Sequence, residues 1–268
     1  MIDEGHPRHA VAEGVHNFLT REGIPPAELR ALAWEQMRTY PTVGRSSGMV
    51  ARLERRDSRW FVEVDNGDIW SAQAVLLATG VIDRHPEIRG YEALWGRSIF
   101  HCPYCHGWEV RDQKLAVLGE STALGHLAPL LLAWSADVVV LTNGGTLEPT
   151  LEHELEARRI PVRSDPIDEL VGADGRLDAI RFTDGSSVRR DALFVASTPR
   201  LPELVSGLGL ELDDLGFVRV DGDGATSAPA LWAAGDLTSR RHQVIEAAAQ
   251  GLRAATAINR QLVFGAAA

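Results

Sequence analysis

The chain has 268 residues, of which 45% are hydrophobic and 24% charged, so it can form two globular domains with buried cores. Its formal net charge of −10 argues against a general nucleic-acid or anionic-membrane surface, because both need clustered Lys and Arg. The first residues lack the basic start and apolar stretch of a secretory signal, and no apolar run reaches the roughly 18 residues of a membrane span. A cytoplasmic protein is therefore expected.

Hydrophobic periodicity predicts the elements at the start of the chain. Residues 26–39 carry apolar side chains at helical spacing, which indicates an amphipathic helix. The apolar run 74–80 ends in Thr79-Gly80 and indicates a buried parallel strand. Between them, an antiparallel meander is predicted from three alternating runs, at residues 49–53, 60–64 and 69–72.

The pattern then changes to alternating strands and helices, which is typical of a parallel, nucleotide-binding type of sheet. The predicted strands lie at 114–118, 137–141, 177–182, 192–196 and 230–234, and the predicted helices at 123–134, 151–158 and about 242–262. The pair Gly235-Asp236 separates the last strand from the last helix. These elements place the chain in the α/β class.

The only two cysteines, Cys102 and Cys105, are spaced as C-x-x-C. Pro103 suits the first position of a helix, where residues three apart share a face and a thiolate is stabilised by the helix N-terminus. Four interpretations are open. They are a pair that exchanges disulfides, a haem attachment site C-x-x-C-H with His106, a zinc site with His101 and His106, and two buried structural cysteines.

The setting of the two cysteines favours the redox interpretation. In a reducing compartment a C-x-x-C pair is more often catalytic or metal-binding than structural. Covalent haem attachment generally needs export, and a second C-x-x-C pair that would complete a zinc site is missing from the sequence. We therefore predict a redox-active pair and no metal.

A weak nucleotide-binding fingerprint follows the strand at 114–118. The G-x-G-x-x-G/A pattern would begin at Gly119, but Ser121 replaces the second glycine and Leu124 the last one. The strand at 137–141 is followed by neither an acid for a ribose hydroxyl nor an arginine cluster for a 2′-phosphate. The pattern argues against the use of NADPH.

The order of these motifs resembles the low-molecular-weight thioredoxin reductases. Like those enzymes, this chain has a C-x-x-C after an Ala-Thr-Gly strand, then a β-α-β-α insert, and then an Ala-Ala-Gly-Asp strand before a Gln-bearing helix. Residues 100–109, Phe-His-Cys-Pro-Tyr-Cys-His-Gly-Trp-Glu, are similar to the thioredoxin reductase-like dithiol oxidases, which include the enzymes that close disulfides in gliotoxin and holomycin. The resemblance implies an FAD-dependent, homodimeric dithiol/disulfide oxidoreductase whose partner is a small dithiol or a thioredoxin-like protein.

The resemblance also implies two Rossmann-like domains, each with three layers (ββα). Residues 1–98 and 208–268 would form a discontinuous FAD domain, and residues 99–207 an inserted domain with the C-x-x-C. Family members begin with a β-α-β unit that contains G-x-G-x-x-G, whereas residues 1–5 here are similar to the end of its second strand. About 30 residues would then be absent, with impaired FAD binding. Either the natural protein starts upstream, which we favour, or the chain has lost its flavin.

Residue roles follow from the same resemblance. Cys105 would face the flavin, Cys102 would meet the substrate, and His106 would carry protons near neutral pH. The residues expected to bind FAD are Asp3, Asn17, Thr79, Gly80, Gly235, Asp236, Gln243 and Val244. Oxygen is the expected electron acceptor. The alternatives are an NADPH-dependent reductase of thioredoxin or a small disulfide, and a flavin-free relative that acts as a binding protein.

Overall fold

The computed structural model describes residues 1–119, 121–196 and 199–265, with the backbone alone at Ser121 and Thr122. The strands are β1 (Ile2–Asp3), β2 (Ser46–Ser47), β3 (Val50–Arg56), β4 (Arg59–Val64), β5 (Ile69–Ala72), β6 (Val75–Leu77), β7 (Ile99–Phe100), β8 (Leu115–Gly119), β9 (Val138–Leu141), β10 (Val162–Arg163), β11 (Ile167–Ala173), β12 (Arg176–Phe182), β13 (Ser187–Arg189), β14 (Ala192–Ala196) and β15 (Leu231–Ala233). The α-helices are α1 (Pro26–Met37), α2 (Tyr91–Leu94), α3 (Pro103–His106), α4 (Ser121–Leu131), α5 (Pro149–Ala157), α6 (Glu203–Ser206) and α7 (Val244–Phe264), and 3₁₀ turns span Arg8–Val11 and Gly235–Leu237. None of the described helices combines the length and the apolar character needed to cross a membrane.

One compact unit, unit 1, is assembled from three chain segments: Met1–Ala10, Asn17–Ile82 and Pro199–Ala268. The predicted meander is confirmed as the antiparallel sheet β3-β4-β5, in which alternation along β4 buries Trp60, Val62 and Val64. Two parallel strand pairs, β1-β2 and β6-β15, complete its strands in the described residues. Leu77 of β6 and Leu231 of β15 join Trp60 in one apolar core.

Unit 2 comprises Val11–His16 and Asp83–Thr198. Its centre is a five-stranded parallel sheet in the order β10-β9-β8-β14-β7. The sheet is covered by α4 and α5 on one face and by the antiparallel sheet β11-β12-β13 on the other. Because both faces are covered, strands such as Val138–Leu141 are apolar at every position and fully buried. The predicted β-α-β-α order is confirmed, and the unit has three layers.

The limits of the two units differ from the domain limits expected from the sequence. The compact units divide the chain at 82/83 and 198/199, whereas the expected limits were 98/99 and 207/208. Residues 83–98 lie in unit 2 because Ile88, Tyr91 and Leu94 pack into the core beneath its antiparallel sheet.

Strand β11 is the largest element that the sequence did not reveal. Its pairing with β12 shifts register twice, between Ile167 and Glu169 and between Val171 and Gly172. Each shift breaks the strict alternation of apolar and polar residues by which a strand is recognised.

Candidate functional site

The two cysteines lie where strand β7 gives way to helix α3. Cys102 is extended, with φ −128° and ψ 110°, and Pro103 begins the helix as predicted. The N–H groups of Cys105 and His106 donate to the Cys102 carbonyl at 3.1 and 3.2 Å, which closes the turn. Cys102 and Cys105 are joined by a disulfide bond, with their Cα atoms 5.3 Å apart. The predicted C-x-x-C pair is therefore present in its oxidised form.

Helix α3 has only four residues, so few aligned peptide dipoles stand behind the cysteines. The sequence-based expectation that a helix N-terminus strongly lowers a thiol pKa here loses much of its physical basis. A neighbouring side chain is then the more effective acid-base partner for the pair.

His106 is that neighbouring side chain, and its ring is held in place by stacking. The imidazole lies over the Phe100 ring with centroids 4.4 Å apart and an interplanar angle of 13°. Neither ring nitrogen has a hydrogen-bond partner among the described residues, so the ring does not cap the helix. Burial, and secondly the charge of His16, lower the His106 pKa to about 4. His106 is therefore neutral at pH 7 and offers a ring lone pair to a proton.

Two residues that the sequence did not indicate, His16 and Glu109, form a pair near His106. The His16 and His106 rings form a T-shaped pair, with centroids 6.1 Å apart and planes at 79°. His16 Nδ1 lies 3.5 Å from Glu109 Oε1. Glu109 follows His106 by three residues and could have been noticed from that spacing. His16 is distant in sequence, and no local pattern pointed to it.

The outer surface of the C-x-x-C segment is aromatic. The side chains of Tyr104 and Trp108 are 62% and 65% exposed, respectively. The Arg111 guanidinium lies 4.1 Å from the centroid of the Trp108 ring. Between these aromatics, Gly107 has no room for a side chain, since an added Cβ would lie 2.8 Å from the Trp134 ring.

In unit 1, several residues expected to bind FAD lie at the same edge of a parallel strand pair, just after the strands end. Leu77 of β6 pairs with Ala233 of β15, so Thr79-Gly80 and Gly235-Asp236 follow the carboxyl ends of neighbouring strands. Both glycines have positive φ, 66° and 79°, a conformation that other residues rarely adopt. A Cβ at Gly80 would meet nothing within 4 Å. This edge therefore has open space beside Gly80.

Asp236 is paired with an arginine that the sequence analysis also missed. Arg8 Nη1 donates to Asp236 Oδ2 at 2.9 Å and to His242 Nδ1 at 2.8 Å. Gln243 precedes helix α7, and Val244 is its first residue. Within the described structure no side chain caps that helix end, so its first N–H groups remain available to an anion.

Asp3 is held by two arginines at the end of β1. Its Oδ2 accepts from Arg30 at 2.9 Å and from Arg45 at 2.8 Å, and its Oδ1 accepts from the Gly5 N–H. Burial alone would raise the Asp3 pKa, but the Gly5 hydrogen bond and the two arginines lower it below the ordinary value. Asp3 is therefore an ionised carboxylate that is already engaged by cations.

Asn17 is the last of the expected FAD residues, and His9, which was not among them, lies near two others. Asn17 has a φ of 60°, and its N–H donates to Glu22 Oε2 at 2.9 Å, so it lies in a loop turn. The pKa of His9 is lowered by burial and by Arg30, and Asp236 opposes this effect. Arg30 and Asp236 therefore both act on His9, which brings the Asp3 and Asp236 groups into one region of unit 1.

Comparison with known proteins agrees with this arrangement. Residues 45–251 match the family described as pyridine nucleotide-disulphide oxidoreductase. The chain is 34% identical over 252 residues to thioredoxin reductase tcpT of Claviceps purpurea, covering 88% of this chain and 78% of the relative. It is 29% identical over 282 residues to thioredoxin reductase sirT of Leptosphaeria maculans, covering 97% and 86%.

Solved structures extend the similarity to the fold of the whole chain. The crystal structure of HlmI is similar with a TM-score of 0.92 and 36% identity, over 98% of this chain and 84% of that one. A putative thioredoxin reductase TrxB from Bacillus anthracis gives a TM-score of 0.93 and 32% identity, over 98% and 89%. The predicted fold class and the resemblance to thioredoxin reductase-like proteins are confirmed. The chain is therefore a dithiol/disulfide oxidoreductase and one of the thioredoxin reductase-like flavoenzymes. It belongs to the pyridine nucleotide-disulphide oxidoreductase family.

Proposed function

We propose that this chain oxidises a small dithiol to a disulfide and that oxygen is the final electron acceptor. One observation carries the proposal: the disulfide Cys102–Cys105 lies beside His106, a neutral imidazole whose ring nitrogens have no hydrogen-bond partner in the described residues. An oxidised pair accepts electrons from a dithiol, and a neutral base accepts the proton that the attacking thiol must lose.

In the proposed thiol–disulfide exchange, the substrate forms its mixed disulfide with Cys102. His106 removes the proton from one substrate thiol, and the resulting thiolate attacks Cys102 Sγ. The Cys102–Cys105 bond breaks, and Cys105 leaves as a thiolate. The second substrate thiol then attacks the substrate sulfur joined to Cys102. The substrate leaves as a disulfide, and the two cysteines retain its two electrons. The proton of the second substrate thiol stays on Cys102, Cys105 remains a thiolate, and His106 holds the first proton.

Unit 1 is the proposed FAD domain, and its residues fit the polar groups of a dinucleotide. Arg8 and the N–H groups at the start of α7 suit a pyrophosphate, and the Asp236 carboxylate suits ribityl or ribose hydroxyls. Gly80, where an added Cβ would meet nothing within 4 Å, leaves the backbone open to close approach. FAD bound there would supply the two-electron chemistry that connects the cysteine pair with its acceptor.

The end of β9 supports oxygen over NADPH. Thr142 Oγ1 donates to the Gly145 carbonyl at 2.7 Å, and Asn143 Oδ1 accepts from the Ile167 N–H at 2.6 Å. These side chains therefore close a loop at the position where a Rossmann domain binds a ribose hydroxyl. Glu120, within the weak glycine fingerprint, lies outside the described residues.

Separate anaerobic additions of dithiothreitol and NADPH test the choice of electron donor. The flavin-loaded chain should lose its flavin absorbance with dithiothreitol and keep it with NADPH, and admitted oxygen should restore the absorbance with release of hydrogen peroxide. Rapid bleaching by NADPH would instead support the alternative of a thioredoxin or small-disulfide reductase, and several relatives are named thioredoxin reductases. A chain that takes up no flavin would support the flavin-free binding protein.

The remaining proposals concern the partner, the assembly and the location. The partner is a small dithiol or a thioredoxin-like protein, and the location is the cytoplasm. The chain is also proposed to form a homodimer, which is supported by exposed apolar side chains along α7, with Leu252 71% and Val263 62% exposed. Light scattering of the purified chain should give twice the monomer mass, and a monomer mass would contradict the homodimer.

A further inference from the structure

His16 and Glu109 form an ordered pair next to the cysteine motif. His16 lies in the short segment Val11–His16 that belongs to unit 2, and Glu109 lies just beyond α3 in the same unit. The His16 Nδ1 to Glu109 Oε1 distance is 3.5 Å, and the His16 and His106 rings form a T-shaped pair. The side chain of His16 is 19% exposed and that of Glu109 37% exposed. Exposure thus increases from His16 to Glu109.

The pair stands where the proposed reaction needs a proton path. His106 collects a proton during each reductive exchange and must release it before the next one. Its two ring nitrogens are buried and have no hydrogen-bond partner in the described residues. Phe100, stacked on the ring, and the Cys102–Cys105 disulfide carry no transferable proton. A positive charge on His16 is, after burial, the second cause that lowers the His106 pKa.

We propose that His16 and Glu109 relay protons between His106 and solvent, an inference that rests on the proposed role of His106 as the base. A centroid distance of 6.1 Å is within reach of one bridging water or a small movement of the rings. Glu109 stabilises the proton while it is on His16. The charge on His16 in turn disfavours a second proton on His106, so that one proton passes at a time.

Chemical rescue of a His16→Gln variant tests the relay. The flavin-loaded full chain is mixed with dithiothreitol at about pH 7, quenched, and the new Cys102 and Cys105 thiols are labelled and counted. In His16→Gln we expect pair reduction to slow by about 10²-fold at low buffer concentration, the lower range for a lost proton-transfer group. Added imidazole should restore the rate of this variant and leave the wild type unchanged. Glu109→Gln should slow reduction by about tenfold.

A matched control is His85→Gln, because His85 is also paired with a carboxylate, Glu92, at 2.7 Å in unit 2. This variant should reduce its cysteines at the wild-type rate with no response to imidazole. A His16→Gln variant that is as fast as wild type, or that is slow and insensitive to imidazole, overturns the relay. If His16→Gln does not fold, the exposed Glu109 provides the test, and an unchanged rate in Glu109→Gln overturns the relay.

The His106→Gln variant separates failure of the relay from failure of the proposed function. If His106→Gln slows pair reduction and His16→Gln does not, the relay is wrong and the base assignment stands. If His106→Gln itself reduces its cysteines at the wild-type rate, the base assignment falls and the relay with it.

Discussion

The low pKa of His106 makes the stability of the fold depend on pH in a defined direction. Burial, and secondly the charge of His16, hold this pKa at about 4, against an ordinary value of 6.5 in the unfolded chain. Between these two pH values the unfolded state binds more protons, so the free energy of unfolding rises with pH. At 1.36 kcal/mol per pKa unit, acidification costs the wild type about 3 kcal/mol by pH 4 and about 2 kcal/mol by pH 5. Above pH 6.5 both states are neutral and the cost vanishes.

The His106→Gln variant removes this titration. Urea unfolding at about pH 7 and about pH 5 should show that the variant loses about 2 kcal/mol less stability on acidification than the wild type. His126→Gln, at an exposed position of α4, serves as the control and should lose as much as the wild type. If His106→Gln shows the same loss as the control, the assignment of a buried, neutral imidazole at this position is refuted.

Two further substitutions test the packing at the motif and the proposed flavin site. Gly107→Ala should lower the free energy of unfolding by about 1–3 kcal/mol, because its Cβ would lie 2.5 Å from the Pro103 carbonyl oxygen and 2.8 Å from the Trp134 ring. Urea unfolding measures this loss. Arg8→Gln removes the cation beside Asp236 and should weaken flavin binding by about tenfold, equal to about 1.4 kcal/mol, in a titration followed by flavin fluorescence.

Each of these substitutions has a matched control. Gly251→Ala, in α7 with nothing within 4 Å of the new Cβ, should stabilise the chain by about 0.5–1 kcal/mol. A Gly107→Ala variant as stable as Gly251→Ala would show that the space around residue 107 is misjudged. Arg260→Gln breaks another arginine–aspartate pair in unit 1 and should leave flavin affinity unchanged. Equal affinities for Arg8→Gln and Arg260→Gln would remove Arg8 from the flavin site.

Local signals in the sequence were sufficient for much of the fold. Buried parallel strands such as Val138–Leu141 are continuous apolar runs, and Pro103 marks the first residue of α3, so both could be predicted from a few neighbouring residues. Strand β11 could not, because its two register shifts disturb the period of the pattern. The inclusion of residues 83–98 in unit 2 depends on tertiary packing of Tyr91 and Leu94, which periodicity does not report.

The candidate site likewise contains some residues that the sequence could predict and others that it could not. The cysteines and His106 are adjacent in sequence and could be predicted from their spacing. His16 and Arg8 are far in sequence from the residues they contact, His106 and Asp236 respectively, and such single polar residues have no periodic signature. The electrostatic state of His106 also required the structure, because its pKa depends on burial and on the position of His16.

The central claim is that electrons travel between a dithiol and the flavin through Cys102 and Cys105. The most direct measurement is anaerobic stopped-flow mixing of dithiothreitol with the flavin-loaded wild type and with the Cys102→Ser and Cys105→Ser variants, followed by flavin absorbance. The wild type should bleach, and each variant should bleach more slowly by about 10³-fold or more, as expected when a catalytic nucleophile is removed. Bleaching of either variant at the wild-type rate would contradict the account.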